Sequence, residues 1–459
     1  VMSDWGAVNE RVKGLAAGLD LEMPGSGGYT DKEIVEAVKN GTLDEQVLDT
    51  AVERILNIIF KYTDNRQPGR FDLAEDHKLA VRIAEESMVL LKNDGILPLK
   101  TEGQKIAFIG KFAKNPRFQG GGSSHINSFK VESALDAVKE YTEVTYAQGY
   151  DVKEDKIEEA MLKEAVETAK AADVAVIFAG LPDAFESEGY DREHMAMPNC
   201  QNILIEEILK VQPNVVVVLH NGSPVEMPWA DQVKGILEAY LCGQGAGAAE
   251  AAILFGKVNP SGKLAETIPY KLSDNPSYLN FPGNGKTVEY KEGVFVGYRY
   301  YDTKEMPVRY PFGYGLSYTT FAYSDLQLSA KEIKDTDKLT VSLKVKNTGA
   351  VAGKEVVELY VADHTGAAFR PVKELKNFVK VELHPGEEKT VSMELNKRSF
   401  AWYNEEIHDW YAASGTYEIL VGSSSRDIRL KEHVTVLSTT KIPMQIHMNT
   451  TISELLAEP

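Results

Sequence analysis

The feature that most limits the fold of this chain is a series of short apolar runs separated by helical stretches in residues 77–269. The runs contain no polar residue and occupy positions 106–109, 174–179 and 215–219. Strands of this kind are covered on both faces, as in a parallel sheet flanked by helices. Helical patterns at 157–172 and 202–211 fill the intervals between the runs. The pattern predicts a doubly wound α/β sandwich domain over residues 77–269.

A change to alternating polar and apolar residues marks a second kind of domain beyond Leu316. The apolar positions of its clearest strand are Leu339, Val341, Leu343 and Val345. Asn347-Thr348-Gly349 follows as a turn. Further strands are predicted at 355–361, 391–395 and 417–421. Short strands with regular turns predict a β-sandwich of immunoglobulin size over residues 316–437.

The remaining segments are assigned from helix signals and composition. Residues 1–62 combine a short strand with two helices, as in the last part of a (β/α)8-like barrel. Capping boxes at Thr30-x-x-Glu33 and Thr42-x-x-Glu45 predict the starts of these helices. A linker, an ordered connector rich in aromatic residues and a C-terminal tail are predicted at 63–76, 270–315 and 438–459. The tail ends in a helical pattern at 453–456.

Composition disfavours several classes of function. The net charge of −18 at pH 7 argues against a nucleic acid or an anionic membrane as partner. No apolar run approaches the roughly 20 residues that cross a bilayer. Two cysteines give no disulfide framework, and the nine histidines lack metal-ligand spacing. We therefore expect no cofactor and a cytoplasmic location, while a secreted location and a homo-oligomer stay compatible with the sequence.

Asp4 and Trp5 form the first candidate site. An acid at the end of a short apolar stretch, beside an indole and a glycine, suits the carboxyl end of a barrel strand. The carboxylate would face a reacting carbon, and the indole would offer a flat apolar wall to a sugar ring. The alternative is structural, with Asp4 as a helix N-cap and Trp5 as a half-buried side chain.

The second candidate is the segment from Phe185 to Glu193, which follows the predicted strand at 174–179. It lies where open α/β sheets bind ligands, at the carboxyl end of a strand. Its acids and bases crowd between Phe185 and Tyr190. Acid-rich, partly apolar surroundings would favour a protonated carboxyl, as a general acid requires. The alternative is an ordinary polar surface loop.

Glycine-rich segments give weaker signals. The segment from Gln119 to His125 would cradle a phosphate or let the backbone approach a sugar, but it lacks the lysine of a P-loop. The segment 243–248 resembles a dinucleotide loop, yet no suitable acid follows about 20 residues later. Its small residues equally suit close packing of a helix. The segment 256–264 has the wrong glycine spacing for a P-loop. Nucleotide binding is therefore disfavoured.

Several motifs in the same order resemble glycoside hydrolase family 3, the β-glucosidase group. They are Ser3-Asp4-Trp5, the stretch 18–24, Gly120-Gly121-Gly122-Ser123-Ser124, the segment 186–192 and the segment 310–318. The resemblance spans nearly the whole chain and implies a β/α barrel, an α/β sandwich and a fibronectin type III-like domain. By this resemblance, most of the barrel and the family's upstream sugar-binding positions have no counterpart in residues 1–459.

The resemblance also implies roles for single residues. Asp4 corresponds to the nucleophile, and Glu188 corresponds to the acid/base that the second domain supplies. Spacing does not separate Glu188 from its rival Glu186. The implied substrate contacts are Trp5 as a wall of the sugar subsites, Ser123 as a loop contact and Tyr190 as an aromatic at the leaving-group side. The implied activity is release of β-linked glucose from a small carbohydrate by double displacement, with retention of configuration.

Other interpretations stay open. A β-xylosidase or an N-acetylhexosaminidase of the same family would share these residues, since sugar identity is recognised largely by the missing barrel. A non-catalytic carbohydrate-binding protein would keep the fold without the chemistry. Residues 1–459 alone are expected to be inactive. We also expect them to aggregate through about the first 70 residues, where sheet edges and an apolar helix face are left uncovered.

Overall fold

The computed structural model describes residues 1–442 and 450–453. Residues 454–456, where the tail is predicted to be helical, lie outside the described residues. The chain divides into two compact units, Val1–Asp72 and Leu73–Pro459. Within the described ranges, every helix is too short or too polar to span a bilayer.

The first unit is a small helical cluster beside two short extended segments. These segments pair in parallel through Met2 and Leu21. The helices are α1 (Arg11–Ala16), α2 (Tyr29–Lys39) and α3 (Glu45–Asp64). Their shared core consists of Leu15, Ile34, Ala37, Leu43 and Ala51. Val52, Leu56 and Ile59, one stripe along α3, remain more than 40% exposed, so the unit itself leaves this apolar face uncovered.

The two predicted capping boxes are wrong. Helix α2 already begins at Tyr29, and the Thr30 hydroxyl donates to Glu22 instead (Oγ1–Oε2 2.5 Å). Helix α3 has Asp44 as its N-cap, whose Oδ1 accepts the Gln46 N–H at 3.0 Å. An aspartate directly before the helix satisfies the first free N–H groups, which a threonine two residues earlier does not reach.

A six-stranded sheet with helices packed around it opens the second unit. Its strands are β1 (Val89–Asn93), β2 (Ile106–Ile109), β3 (Thr145–Ala147), β4 (Val174–Gly180), β5 (Val215–His220) and β6 (Gly235–Glu238). Its helices are α4 (Leu73–Ser87), α5 (Ala134–Ala137), α6 (Glu159–Lys170), α7 (Asn199–Leu209) and α8 (Ala246–Leu254). Every residue of β2, β4, β5 and β6 is buried. The prediction of strands covered on both faces is confirmed.

Two details of this part differ from the sequence-based expectation. Helix α4 begins at Leu73, so residues 73–76 of the predicted linker are helical; Glu75 and Asp76 in its first turn favour that start. The strand order is β1-β6-β5-β4-β2-β3, and β1 runs antiparallel to β6 while the other pairs are parallel. The sheet is therefore mixed at one edge.

The sandwich consists of two facing sheets. Its strands are β7 (Phe321–Leu328), β8 (Glu332–Lys334), β9 (Leu339–Asn347), β10 (Gly353–Asp363), β11 (Glu374–Leu383), β12 (Glu388–Leu395), β13 (Trp402–Asn404), β14 (Asp409–Tyr411), β15 (Gly415–Ser424) and β16 (Asp427–Leu437). One sheet has the order β12-β9-β7 and the other β11-β10-β15-β16-β8, while β13 and β14 form a separate pair. The four apolar positions predicted in β9 are at most 1% exposed, which confirms the alternation.

Aromatic contacts order the connector between the two domains of this unit. The connector contains the helix α9 (Tyr298–Thr303). A second short helix, α10 (Lys397–Phe400), lies in the sandwich between β12 and β13. Tyr298 stacks on Phe312 with ring centroids 4.6 Å apart and meets Tyr360 of β10 edge-on at 6.0 Å. Its hydroxyl accepts the Leu375 N–H at 2.7 Å. The aromatic residues thus attach the connector to the sandwich.

Candidate active site

Three loops at the carboxyl edge of the parallel strands build the candidate site of the second unit. They follow β2, β4 and β5, which are neighbours in the sheet. Because parallel strands end at the same edge, their following loops meet there. The β2 loop carries Arg117 and Ser123, the β4 loop carries residues 181–192, and the β5 loop carries Ser223.

Glu188 lies exposed on the β4 loop. Its Oε2 accepts a hydrogen bond from the Ser123 N–H at 2.5 Å. This hydrogen bond from Ser123 lowers the pKa of the Glu188 carboxyl. The expectation of acid-rich, partly apolar surroundings that favour the proton is therefore wrong here, because the side chain is in solvent and its partner is an N–H donor.

Gly122 makes this contact between the two loops possible. Its φ is +77°, and a Cβ placed there would lie 2.5 Å from the Glu188 Cβ. A Cβ placed at the neighbouring Gly121 would likewise collide with the Ser187 hydroxyl. The glycine-rich segment is thus explained by the approach of the β4 loop. The alternative of a phosphate cradle loses support, because a carboxylate already occupies the Ser123 N–H and would repel an anion.

Glu186 is held quite differently from Glu188. Its Oε2 accepts hydrogen bonds from Arg117 Nη1 (2.6 Å) and from the Gly222 N–H (2.8 Å). Its Oε1 accepts the Ser223 hydroxyl at 2.5 Å. Burial alone would raise the pKa of Glu186, but the hydrogen bonds from Ser223, Gly222 and Arg117 lower it. Of the two rivals, the Glu188 carboxylate is exposed, whereas the Glu186 carboxylate is half-buried and bonded through both oxygens.

Tyr190 and Arg192 of the β4 loop are also engaged. The Tyr190 hydroxyl donates to the Asp183 carbonyl at 2.6 Å, while its ring is 49% exposed. Arg192 Nη1 donates to Ser223 Oγ at 2.7 Å and to the Pro224 carbonyl at 3.1 Å. Tyr190 and Arg192 are thus anchored, while residues 188–191 are exposed, so both interpretations of this loop stay predictions.

Asp4 and Trp5 belong to the first unit and follow the bridge residue Met2. Asp4 Oδ1 accepts the Trp5 N–H at 2.7 Å, and the Trp5 side chain is 72% exposed. Helix α1 begins only at Arg11. The structural alternative is therefore wrong: Asp4 is not an N-cap, and Trp5 is not half-buried. An exposed carboxylate and an exposed indole lie side by side, close after the short parallel pairing.

Arg117 and Ser223 are functional candidates that the motifs did not reveal. No sequence motif connects them to Glu186, from which they are separated by 69 and 37 positions. Their shared signal is position, since Arg117 follows β2 and Ser223 follows β5. A search of the sequence for polar residues that follow predicted parallel strands would have found both of them.

A cavity of about 740 Å³ borders the same loops. Arg192, Ser223, Glu266 and Tyr298 are among its lining residues, whereas Glu188 is not. Burial raises the pKa of Glu266 there to about 7. In the described part of the chain, His, Cys, Asp and Glu side chains form no group of three that would hold a metal ion. The exposed carboxylate of Glu188 is thus separate from this cavity.

Comparison with known proteins adds family matches and relatives. Residues 88–318 match the glycosyl hydrolase family 3 C-terminal domain, and residues 355–425 match a fibronectin type III-like domain. A relative named thermostable beta-glucosidase B, from Acetivibrio thermocellus, is 56% identical and aligns with 100% of this chain and 61% of its own length. An exo-alpha-(1->6)-L-arabinopyranosidase from Bifidobacterium breve is 47% identical over 95% of this chain and 58% of its own length.

A solved structure shows the same arrangement of elements. The crystal structure of a GH3 beta-glucosidase from Bifidobacterium adolescentis matches with a TM-score of 0.93 and 44% identity, over 100% of this chain and 68% of that one. The matches confirm the predicted fold class, a barrel part followed by an α/β sandwich and a fibronectin type III-like β-sandwich. The chain spans about three fifths of the length of the two relatives above.

Proposed function

The chain belongs to glycoside hydrolase family 3, and from this membership we propose that it supplies both catalytic carboxylates of a retaining β-glucosidase. The observation that carries the proposal is the contrast between two glutamates of one loop. Glu188 is exposed and bonds to Ser123, whereas Glu186 is engaged through both oxygens by Arg117 and Ser223. Only Glu188 is free to exchange a proton with a substrate. We assign Glu188 as the acid/base and Asp4 as the nucleophile.

The proposed reaction has two displacement steps. Asp4 attacks the anomeric carbon while Glu188 donates its proton to the departing glycosidic oxygen, which gives a glycosyl ester on Asp4 and a free alcohol. Glu188, now ionised, takes a proton from water, whose oxygen displaces Asp4 and releases the sugar. Two inversions give net retention, and retaining enzymes hold their two carboxyl groups about 5–5.5 Å apart. No cofactor enters either step.

Three further residues contribute to substrate binding in this proposal. The exposed Trp5 indole packs on the C–H face of a sugar ring. Ser123, whose N–H donates to Glu188, contacts the sugar from the β2 loop. Tyr190, anchored through its hydroxyl to Asp183, presents a half-exposed ring to the leaving group.

The preferred sugar is proposed as β-glucose. The relative called thermostable beta-glucosidase B supports this choice. The relative named an exo-alpha-(1->6)-L-arabinopyranosidase makes an arabinopyranoside the second candidate. A panel of nitrophenyl β-glucoside, β-xyloside, α-L-arabinopyranoside and N-acetyl-β-glucosaminide ranks these, together with the β-xylosidase and N-acetylhexosaminidase alternatives. Two unpaired cysteines, one of them buried, accord with a cytoplasmic location.

Azide rescue tests the two assignments in the intact protein that carries this chain. Asp4→Gly should abolish hydrolysis, and azide should restore turnover of an activated β-glucoside with the α-glucosyl azide as product, because a single displacement inverts the centre. Glu188→Ala should instead give the β-glucosyl azide, formed from the glycosyl ester. Asp64→Gly at the exposed end of α3 is the matched control and should keep full activity. Undiminished hydrolysis by Asp4→Gly would refute the assignment.

A further inference from the structure

We infer that Arg117 and Glu186 are positioning residues, which form a clamp that fixes the loop carrying Glu188. The inference rests on the proposed acid/base role of Glu188. The clamp consists of Arg117, Glu186, Ser223 and Arg192, which lie on three neighbouring loops and bond to one another.

Arg117 fixes the start of the β4 loop. It is only 7% exposed, and all three of its side-chain nitrogens donate into residues 181–186. Nη1 bonds to the Leu181 carbonyl at 2.8 Å and to Glu186 Oε2 at 2.6 Å. Nη2 bonds to the Glu186 carbonyl at 2.8 Å, and Nε bonds to Asp183 Oδ1 at 3.0 Å. A guanidinium fork makes this set of bonds, whereas a lysine ammonium has neither the planar shape nor the number of donors.

Glu186 and Arg192 attach the same loop to the β5 loop at two points. Glu186 accepts the Gly222 N–H at 2.8 Å and the Ser223 hydroxyl at 2.5 Å. Six residues later, Arg192 donates to Ser223 Oγ at 2.7 Å. The segment 186–192 is therefore held at both ends on one side chain, that of Ser223. Glu188 lies within it, two residues after Glu186.

The β2 loop contributes both to the clamp and to the direct contact with Glu188. Arg117 holds the base of the β4 loop, and Ser123 donates its N–H to Glu188 Oε2 at 2.5 Å. A general acid must lie within hydrogen-bond reach of the leaving oxygen. A shift of the β4 loop would therefore impair proton donation while leaving the attack by Asp4 intact. The loss of rate must then depend on how much the leaving group needs a proton.

The test compares kcat/KM on β-glucosides whose leaving groups differ in acidity, again in the intact protein. Methyl β-glucoside and cellobiose need the proton, whereas 2,4-dinitrophenyl β-glucoside does not. Glu188→Ala is the reference, with a loss of about 10²–10⁴-fold on the first two and little change on the third. Arg117→Lys and Glu186→Gln should lose about 10-fold or more on the first two and stay within about 2-fold on the third, the pattern of a displaced acid.

A matched control breaks an arginine–carboxylate pair elsewhere in the same unit. Arg309 Nη1 lies 2.7 Å from Asp231 Oδ1, which precedes the amino end of β6. Arg309→Lys should leave all three substrates unchanged. If Arg117→Lys fails to fold, as judged by its near-ultraviolet dichroism, Ser223→Ala removes one anchor of Glu186 and replaces it in the comparison.

The outcomes separate this inference from the proposed function. Equal losses on all substrates, or no loss, for Arg117→Lys and Glu186→Gln would overturn the clamp. The clamp would also be overturned if Glu186→Gln showed the full loss with β-glucosyl azide as product, because Glu186 would then be the acid/base itself. If Glu188→Ala itself showed no dependence on the leaving group, the proposed function would fail instead.

Discussion

Replacement of Asn347 by alanine should destabilise the sandwich more than most single substitutions. The side chain is fully buried at the end of β9, where the chain crosses from one sheet to the other. Its Oδ1 accepts the Thr319 hydroxyl at 2.7 Å and the Gly349 N–H at 3.0 Å. Its Nδ2 donates to the carbonyls of Val351 at 2.8 Å and of Leu383 at 3.0 Å. An amide can make four such bonds, and here it makes all four.

The magnitude follows from what the alanine would leave behind. Each buried donor or acceptor without a partner costs about 1–3 kcal/mol. Water entering the space left by the amide would satisfy part of this set, so we expect a loss of about 3–5 kcal/mol in the free energy of unfolding of the sandwich. Asn347→Asp separates the two halves of the amide, since it keeps the acceptor but turns an oxygen toward the Val351 and Leu383 carbonyls. Its loss should be smaller at a pH low enough to protonate the carboxyl.

Hydrogen exchange measured by mass spectrometry in urea gives the free energy of each domain separately. Peptides from β9 and β12 report on the sandwich, and peptides from β4 and β5 serve as an internal reference that should not change. Asn377→Ala is the control, because the two hydrogen bonds of its amide, to the Glu394 carbonyl at 3.0 Å and from the Phe378 N–H at 2.8 Å, are both exposed. It should cost no more than about 0.5 kcal/mol. A loss below about 1 kcal/mol for Asn347→Ala would refute the reasoning.

Three other predictions concern the site and the core. Gly122→Ala would strain a positive φ and place a Cβ against Glu188, so kcat/KM on methyl β-glucoside should fall. Gly285→Ala is the control, because its φ is also positive but the space around it is open, and it should leave kcat/KM unchanged. Undiminished activity of the Gly122→Ala enzyme would contradict this. Ser123→Ala removes one hydrogen bond that lowers the pKa of Glu188, so the alkaline limb of the pH–rate profile should move to higher pH, and a shift to lower pH would oppose the argument. Burial raises the pKa of Glu250 from 4.5 to about 8. Between pH 4.5 and 8 the folded state therefore keeps a proton that the unfolded state releases. The free energy of unfolding should decline as the pH rises through this range, by at most about 1.4 kcal/mol per pH unit. Glu250→Gln should flatten this decline in urea unfolding at pH 5, 6.5 and 8, and an unchanged slope would count against it.

The regular elements were predictable because burial leaves a period in the sequence. Strands covered on both faces are apolar throughout, and β9 alternates because it is covered on one face. The edge strand β1 was missed, since it follows α4 directly and no turn separates the two. The helix starts were misplaced for a local reason. A threonine followed three residues later by a glutamate is a common pair, and the sequence does not show whether the threonine directly precedes a helix. In α3 the residue that directly precedes the helix is Asp44.

The candidate site was predictable only in part. Resemblance pointed to Glu188, and spacing left Glu186 as its rival, because successive side chains of a loop follow no period that would tell inside from outside. Their separation depends on Arg117 and Ser223, which come from other strands and meet Glu186 only in the folded chain. The sequence shows the glycines at 121 and 122, but it does not show that they leave space for the loop that carries Glu188. Contacts between loops are set by tertiary packing, which a single sequence does not encode as spacing.

The hydrogen bond from Ser123 has a consequence for the order of the two proposed steps. An N–H donor favours the ionised form of Glu188, which is the form that takes a proton from water in the second step. The first step needs the opposite form. A sugar that covers this exposed carboxylate removes it from water, and desolvation raises the pKa of a carboxyl. Substrate binding would then load the proton that the leaving group requires, and departure of the alcohol would restore the ionised base. The same residue can serve both steps because its carboxyl is exposed, whereas hydrogen bonds from Ser223, Gly222 and Arg117 lower the pKa of the half-buried Glu186.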